Sequence, residues 1–177
     1  MMTDANMNRL HDGSVPAGSD ELFDRLGDLG ITVETTQHAA VYTVEQAKAL
    51  RGPLAGCHTK NLFLRDKKGA MWLVVCREDR VIDLKTLAQM LGSARLSFGS
   101  PERLMKHLGV IPGAVSPFAV INDKEGQVQV GLDRVMLNEE PWNFHPLSNH
   151  MTTSISASDM LRFLEAEDHS PKLLDFE

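Results

Sequence analysis

The residues best suited to chemistry lie at positions 56–66, which read Gly-Cys-His-Thr-Lys-Asn-Leu-Phe-Leu-Arg-Asp. Lys60 stands at the mouth of a short apolar run, Leu62-Phe63-Leu64, of the kind expected of a strand covered on both faces. Gly52, Pro53 and Gly56 deliver the chain into that strand, so the cation sits beside a loop able to change shape. The same spacing also suits a solvated lysine at a strand end. A second candidate, residues 109–118, is too rich in Gly and Pro for a helix and too apolar for idle exposure. Gly113 and Pro117 are its key positions: glycine lets a backbone approach a ligand, proline fixes the neighbouring backbone, and together they can hold N–H donors in place. A tight crossover between a helix and a strand would use the same residues. The third candidate is His145, between Phe144 and Pro146. His150 follows five residues later, which is not the helical His-x-x-x-His spacing of a metal pair, so His145 is read as acting by position.

These residues need a framework, and the apolar pattern supplies one. Ser19 or Asp20 can cap a helix with Leu22, Phe23, Leu26 and Leu29 inward and Gly30 at its end. Residues 31–36 read as a strand, and Thr43 with Gln46 forms a capping box for a helix running through Ala47 and Leu50. The Lys60 strand, the turn at Asp66-Lys67-Lys68-Gly69 and the run from Ala70 to Cys76 make a hairpin at the centre of the sheet. Asp83 caps one helix that stops at Gly92; Ser100-Pro101 opens another that stops at Gly109. Residues 118–121 and 127–131 read as a second hairpin, residues 152–155 as a last strand, and Ser156 as the cap of a terminal helix carrying Met160, Phe163 and Leu164.

The chain has 177 residues, 42% of them hydrophobic, enough for one domain with a real core. Residues 1–19 lack apolar periodicity and read as a flexible leader ahead of a domain at 20–177. Cys57 and Cys76, 19 positions apart with no CxxC, suit free thiols in a reducing compartment and neither a disulfide scaffold nor a zinc site. No signal sequence or membrane-length apolar run is read, so a soluble, cytoplasmic protein is expected. The net charge of -6 is unevenly spread: residues 45–110 carry 12 Lys/Arg against 6 Asp/Glu. A nucleic-acid face on an acidic chain therefore stands beside the alternative of a mixed solvated surface.

Several of these stretches together resemble the YbaK/prolyl-tRNA synthetase-associated editing domains. They are Lys60-Asn61-Leu62-Phe63-Leu64, Gly113-x-x-x-Pro117-Phe118 and Phe144-His145-Pro146-Leu147-x-Asn149-x-x-Thr152, supported by His38-x-x-Val41-x-Thr43-Val44-Glu45, Asp83-Leu84-Lys85, Leu96-Ser97-Phe98 and Leu108-Gly109-Val110. The likeness spans about residue 21 to 176 and is fullest to the free-standing branch that deacylates alanyl-tRNA(Pro). It implies a single mixed α/β domain, a central mixed and largely antiparallel sheet flanked by helices, and no cofactor or metal.

The resemblance also implies a trans-editing hydrolase that removes alanine from mischarged tRNA(Pro) by substrate-assisted hydrolysis. Lys60 would anchor the terminal adenosine as a donor and not a base. Gly113 would present backbone donors, His145 would border the water or the aminoacyl group, and Val44, Asn61, Leu62, Pro117, Phe118 and Asn149 would line the substrate site. The partner would be the acceptor end of tRNA(Pro) carrying alanine, with prolyl-tRNA synthetase or an elongation factor as a transient second partner. Cysteine as the substrate amino acid, and a catalytically silent tRNA- or synthetase-binding module, remain as alternatives.

Overall fold

A computed structural model describes residues 8–40 and 56–176. The most apolar run of the chain folds as β3 (Met71–Arg77), whose first six residues are all buried. It pairs antiparallel with β2 (Cys57–Asp66), Lys60 lying opposite Cys76 and Leu64 opposite Trp72. The expected central hairpin is therefore present, but β2 begins three residues before Lys60, so the lysine lies within the strand and not at its mouth.

Eight strands form one mixed sheet in the order β1-β7-β6-β2-β3-β5-β8, with β4 (Leu96–Phe98) also paired to β2. Antiparallel contacts join β1 (Glu34–Gln37) to β7 (Met151–Ile155), β6 (Trp142–Phe144) to β7, and β2 to both β3 and β4. Parallel contacts join β2 to β6, β3 to β5 (Val128–Asp133), and β5 to β8 (Lys172–Leu174). The mixed sheet is as expected; which strands pair in parallel is what the sequence left unassigned. Residues 118–121 are not a strand but part of a 3-10 helix, Pro117–Asn122, and β5 pairs with β3 and β8 and makes no hairpin with it.

Alternation along the strands divides the interior in two. Phe63, Leu73, Val75, Val130 and Leu132 face a large cluster that takes in Phe118, Trp142, Phe144 and Phe163, while Leu64, Trp72 and Val74 face a smaller one with Leu87, Leu91 and Leu174. The larger face is covered by α1 (Ser19–Asp28), α3 (Pro101–Leu108), the 3-10 helix and α4 (Ala157–Ala166); the smaller by α2 (Leu84–Leu91).

The caps at Asp83, Ser100 and Ser156 are as expected, each side chain accepting a backbone N–H of its helix. At α1 the N-cap is Gly18, not Ser19 or Asp20; Glu21 accepts the Gly18 N–H at 3.1 Å, and the Ser19 hydroxyl donates instead to the Pro146 carbonyl at 2.7 Å. The leader also differs from expectation. His11 N–H reaches the Lys106 carbonyl, Ala17 N–H reaches Asn122 Oδ1 at 2.8 Å, and Leu10 is buried, so residues 8–18 are laid against α3 and the 3-10 helix. The proposed helix from Thr43 lies outside the described residues.

Gly99 shows how tightly β2 is packed. A Cβ there would stand 2.4 Å from two atoms of the Phe63 ring, which is buried in the larger cluster. Gly99→Ala is expected to lower unfolding free energy by about 1 to 3 kcal/mol, read by denaturant titration, because the ring has to leave its place. An unchanged midpoint would show that Phe63 repacks freely.

Candidate functional site

Lys60 shares its face of the sheet with Leu62 and Leu64. Its amine donates to the backbone carbonyl of Arg80, in the loop after β3. That loop is itself fixed: the Arg80 guanidinium donates to both oxygens of Asp133 at 2.9 and 3.2 Å and lies 5.3 Å over the Phe176 ring. Asp133 is fully buried at the end of β5 and also accepts the Val135 N–H. The lysine is thus held in place by a charged pair behind it, and among the described residues its amine has a single partner, a neutral carbonyl.

The second part of the site follows β6. His145 is the first residue beyond that strand, and its Nδ1 lies 2.8 Å from the Met151 carbonyl. A carbonyl only accepts, so Nδ1 carries the proton and the neutral ring presents the Nε2 lone pair. Burial pulls its pKa below the ordinary 6.5, opposed by the bond to Met151 and reinforced by nearby His38. The two imidazoles meet edge to face at 5.8 Å. His38 lies 2.7 Å from the Ala39 carbonyl through Nδ1 and 2.8 Å from the Thr152 hydroxyl through Nε2. By the same logic the neutral ring donates to the carbonyl and accepts from Thr152.

Parallel pairing relates the two parts. Cys57 is level with Trp142 and His58 with Asn143. Carried two residues along both chains, that register sets Lys60 level with His145, on the face opposite Trp142 and Phe144. Thr152, paired with Thr36 across β1 and β7, belongs to the same face as His38. The structure therefore gathers Lys60, His145, His38 and Thr152 on one side of the sheet.

The Gly113 loop lies differently. Ala114 and Phe118 belong to the larger cluster, on the other face from Lys60, and among the described residues no hydrogen bond or ring contact joins residues 111–116 to Lys60 or His145. Gly113 has φ +93, a backbone that favours glycine, and the N–H groups of Gly113, Val115 and Ser116 donate to no described residue. Ser116 Oγ is likewise buried without a partner. The loop comes nearest the histidines where Phe118 packs edge to face on Phe144 at 6.0 Å, one residue before His145.

The expected lining residues separate accordingly. Phe118 and Pro117 are buried, Phe118 completely, with its ring against Phe144 and Phe163, so they are core and not pocket wall. Leu62 is half-buried against the smaller cluster. Asn61 faces the other way, its Oδ1 buried and unpartnered. Asn149 is buried in the connection between β6 and β7. Val44 lies outside the described residues. His38 and Thr152 carried part of the family likeness, yet nothing local marked them as partners; they are 114 positions apart.

Burial pushes both thiols up to about 12, with Glu139 adding to the effect at Cys57, and both are protonated at neutral pH. No group of three or more His, Cys, Asp or Glu side chains able to hold a metal occurs among the described residues.

Comparison with known proteins places the chain in a family. The model of the aminoacyl-tRNA editing domain family matches residues 38–163. The prolyl-tRNA editing protein ProX of Acetoanaerobium sticklandii is 38% identical over 85% of this chain and 93% of its own. The mouse prolyl-tRNA synthetase associated domain-containing protein 1 is 38% identical over 91% of this chain and 99% of its own. A crystal structure described as "a putative trans-editing enzyme for prolyl tRNA synthetase" superposes with a TM-score of 0.68 at 17% identity, covering 90% of this chain and 96% of that one, a likeness of fold.

Proposed function

We propose, from the premise that this chain belongs to the aminoacyl-tRNA editing domain family, that it hydrolyses the ester of alanine wrongly attached to tRNA(Pro). The observation that carries the reading is the placing of Lys60, held by one neutral carbonyl, on the same sheet face as His145 with its Nε2 lone pair free to accept.

In this reading Lys60 leaves the Arg80 carbonyl to grip the terminal nucleotide, a charge-assisted contact worth about 1.5 to 3 kcal/mol. His145 orients the attacking water, and the terminal ribose hydroxyl assists it. His38, tied to Thr152, keeps the His145 ring in place. The N–H groups of Gly113, Val115 and Ser116, which donate to no described residue, serve as oxyanion donors, reached over the end of β6 where Phe118 meets Phe144. Water adds to the acyl carbon, the ester C–O bond breaks, and the proton passes to the ribose oxygen. The products are alanine and free tRNA.

Alanine is the preferred amino acid on physical grounds. A synthetase pocket shaped for proline rejects a smaller side chain by only about 1 to 3 kcal/mol, so the correction falls to a second site too small for proline. The reaction draws on no cofactor, and its place is the cytoplasm, with prolyl-tRNA synthetase or an elongation factor as a passing partner.

The test is to incubate the protein with tRNA(Pro) charged with alanine, cysteine or proline and to measure ester loss. Selective loss of the alanyl ester supports the reading. Selective loss of the cysteinyl ester replaces alanine with cysteine, and survival of all three with tRNA still bound makes the chain a binding module. A pH profile adds a second check. His145 works as the neutral ring, so activity is expected to fall on the acid side with a midpoint below 6.5, and that acid limb is expected to vanish in His145→Asn along with most of the rate. A limb that persists in the variant would assign the titration elsewhere.

A further inference from the structure

Some of the described cations of this acidic chain face carboxylates, and others, among them Lys85, Arg103, Lys106, Lys124 and Lys172, form no ion pair with a described residue. Arg25, Arg77, Arg80, Arg134 and Arg162 each face a carboxylate. Arg65, Lys67, Lys68 and Arg95 do not: all four are exposed, and none forms an ion pair with a described residue. They are also close together. Arg65 pairs across to Ser97, Lys67 donates its N–H to the Arg95 carbonyl, and Lys68 is next in the turn.

The carboxylate nearest to them cannot neutralise them. Asp66 is only 6% exposed, and its oxygens accept the N–H groups of Lys68, Ala70 and Ala94 at 2.9, 2.9 and 3.1 Å. The same three bonds tie the β2–β3 turn to the segment entering β4, so the four cations project from one rigid corner. Phe98, level with Leu64, is 62% exposed on the sheet face that also carries Lys60, whereas Arg65, level with Ser97, leaves from the other face.

We propose that this corner is the docking surface for the duplex backbone of the substrate's acceptor stem, the four cations neutralising consecutive phosphates and Phe98 packing on a sugar or base at its margin. The inference rests on the function proposed above, because the distance is measured from Lys60. Arg65 leaves from the opposite face of β2, so the length is taken to the strand's end at Asp66, where the turn bearing Lys67 and Lys68 begins: six residues beyond Lys60, about 20 Å at roughly 3.3 Å per residue. A stacked nucleic-acid strand advances about 3.4 Å per nucleotide, so this is about six nucleotides from the ester. That length passes the single-stranded 3′ tail of a tRNA and reaches its first base pairs. An acidic protein partner would meet the same charges but would have no reason to keep that distance.

The experiment is binding of uncharged tRNA(Pro), read by fluorescence anisotropy across a salt series, for the full chain and for a variant carrying Arg65→Gln, Lys67→Gln, Lys68→Gln and Arg95→Gln. The variant is expected to bind at least about tenfold more weakly, and the slope of log K against log salt is expected to lose about 3 to 4, near one per phosphate contact. Arg134→Gln, which removes an already paired cation, is the charge control and is expected to keep the slope. Should the fourfold variant melt early, Lys67→Gln and Lys68→Gln taken singly are each expected to lower the slope by about one. An unchanged slope overturns the proposal, as does equal competition by a polyglutamate peptide of matched charge. Uncharged tRNA keeps this test apart from catalysis: a lost slope with no ester cleaved would sink the function and leave the surface, whereas alanyl-ester cleavage with an unchanged slope would do the reverse.

Discussion

Asp123→Ala is expected to cost about 3 to 5 kcal/mol of folding free energy, a loss that removes much of the stability of a domain of this size. Asp123 and His169 are 4% and 5% exposed, and His169 Nε2 meets Asp123 Oδ2 at 2.8 Å. The carboxylate also accepts the N–H groups of Gln127 and Val128 at 3.0 and 2.8 Å, closing the turn into β5, while His169 Nδ1 donates to the Glu167 carbonyl. Removing the acid strands two backbone donors and a buried imidazolium together.

The pH dependence of this pair has two sides. Burial works against the charge of His169, but the bonds to Asp123 and to the Glu167 carbonyl, with the charges of Asp123 and Glu167, together outweigh it and raise its pKa above 6.5. Its contribution is therefore fully present below 6.5 and is lost as pH rises through the folded value. Burial likewise opposes the charge on Asp123, and the bonds from His169, Val128 and Gln127 outweigh it and hold the carboxyl below 3.8. That contribution is present above 3.8 and is lost as pH falls through the folded value. The gap in stability between the parent chain and His169→Gln should accordingly be widest between about pH 3.8 and 6.5 and narrow in alkaline solution. Denaturant titration at several pH values measures it; a gap independent of pH would mean that His169 is neutral throughout.

Under the function proposed above, Lys60→Ala is expected to slow single-turnover hydrolysis of alanyl-tRNA(Pro) by about 10- to 100-fold, the equivalent of a contact worth roughly 1.5 to 3 kcal/mol. The fold should hardly notice, since the side chain gives up one hydrogen bond to a backbone carbonyl, about 0.5 to 1.5 kcal/mol. Lys60→Arg is not expected to restore the rate, because a planar guanidinium presents its donors in a different shape from an ammonium. A rate unchanged in both variants would remove Lys60 from the chemistry.

What the sequence reveals is chiefly what is local. The caps at Asp83, Ser100 and Ser156 are visible because a side chain meets a backbone N–H two or three residues on. The β2–β3 hairpin is visible because its turn residues interrupt two apolar runs. Residues 118–121 mislead for the opposite reason: a short run that is buried all round carries no period to tell a strand from a 3-10 turn. The parallel partners of β3 and β5, like the His38–Thr152 bond, join distant segments whose pairing leaves no mark in either one. Lys60 stands out by motif, but the face it occupies becomes known only once Phe63 and Leu64 are assigned to opposite cores.

That assignment limits how such a chain can change. Because β2 carries Phe63 to one interior and Lys60 to the other side, inserting or deleting one residue between them would bring Asn61 or Thr59 to the lysine's position or turn the phenylalanine out of its cluster. Length variation in this gene is therefore expected to avoid the stretch from 60 to 63, whatever happens in the turn beyond Asp66. The amine's address is guarded by an aromatic ring buried on the opposite face of the sheet.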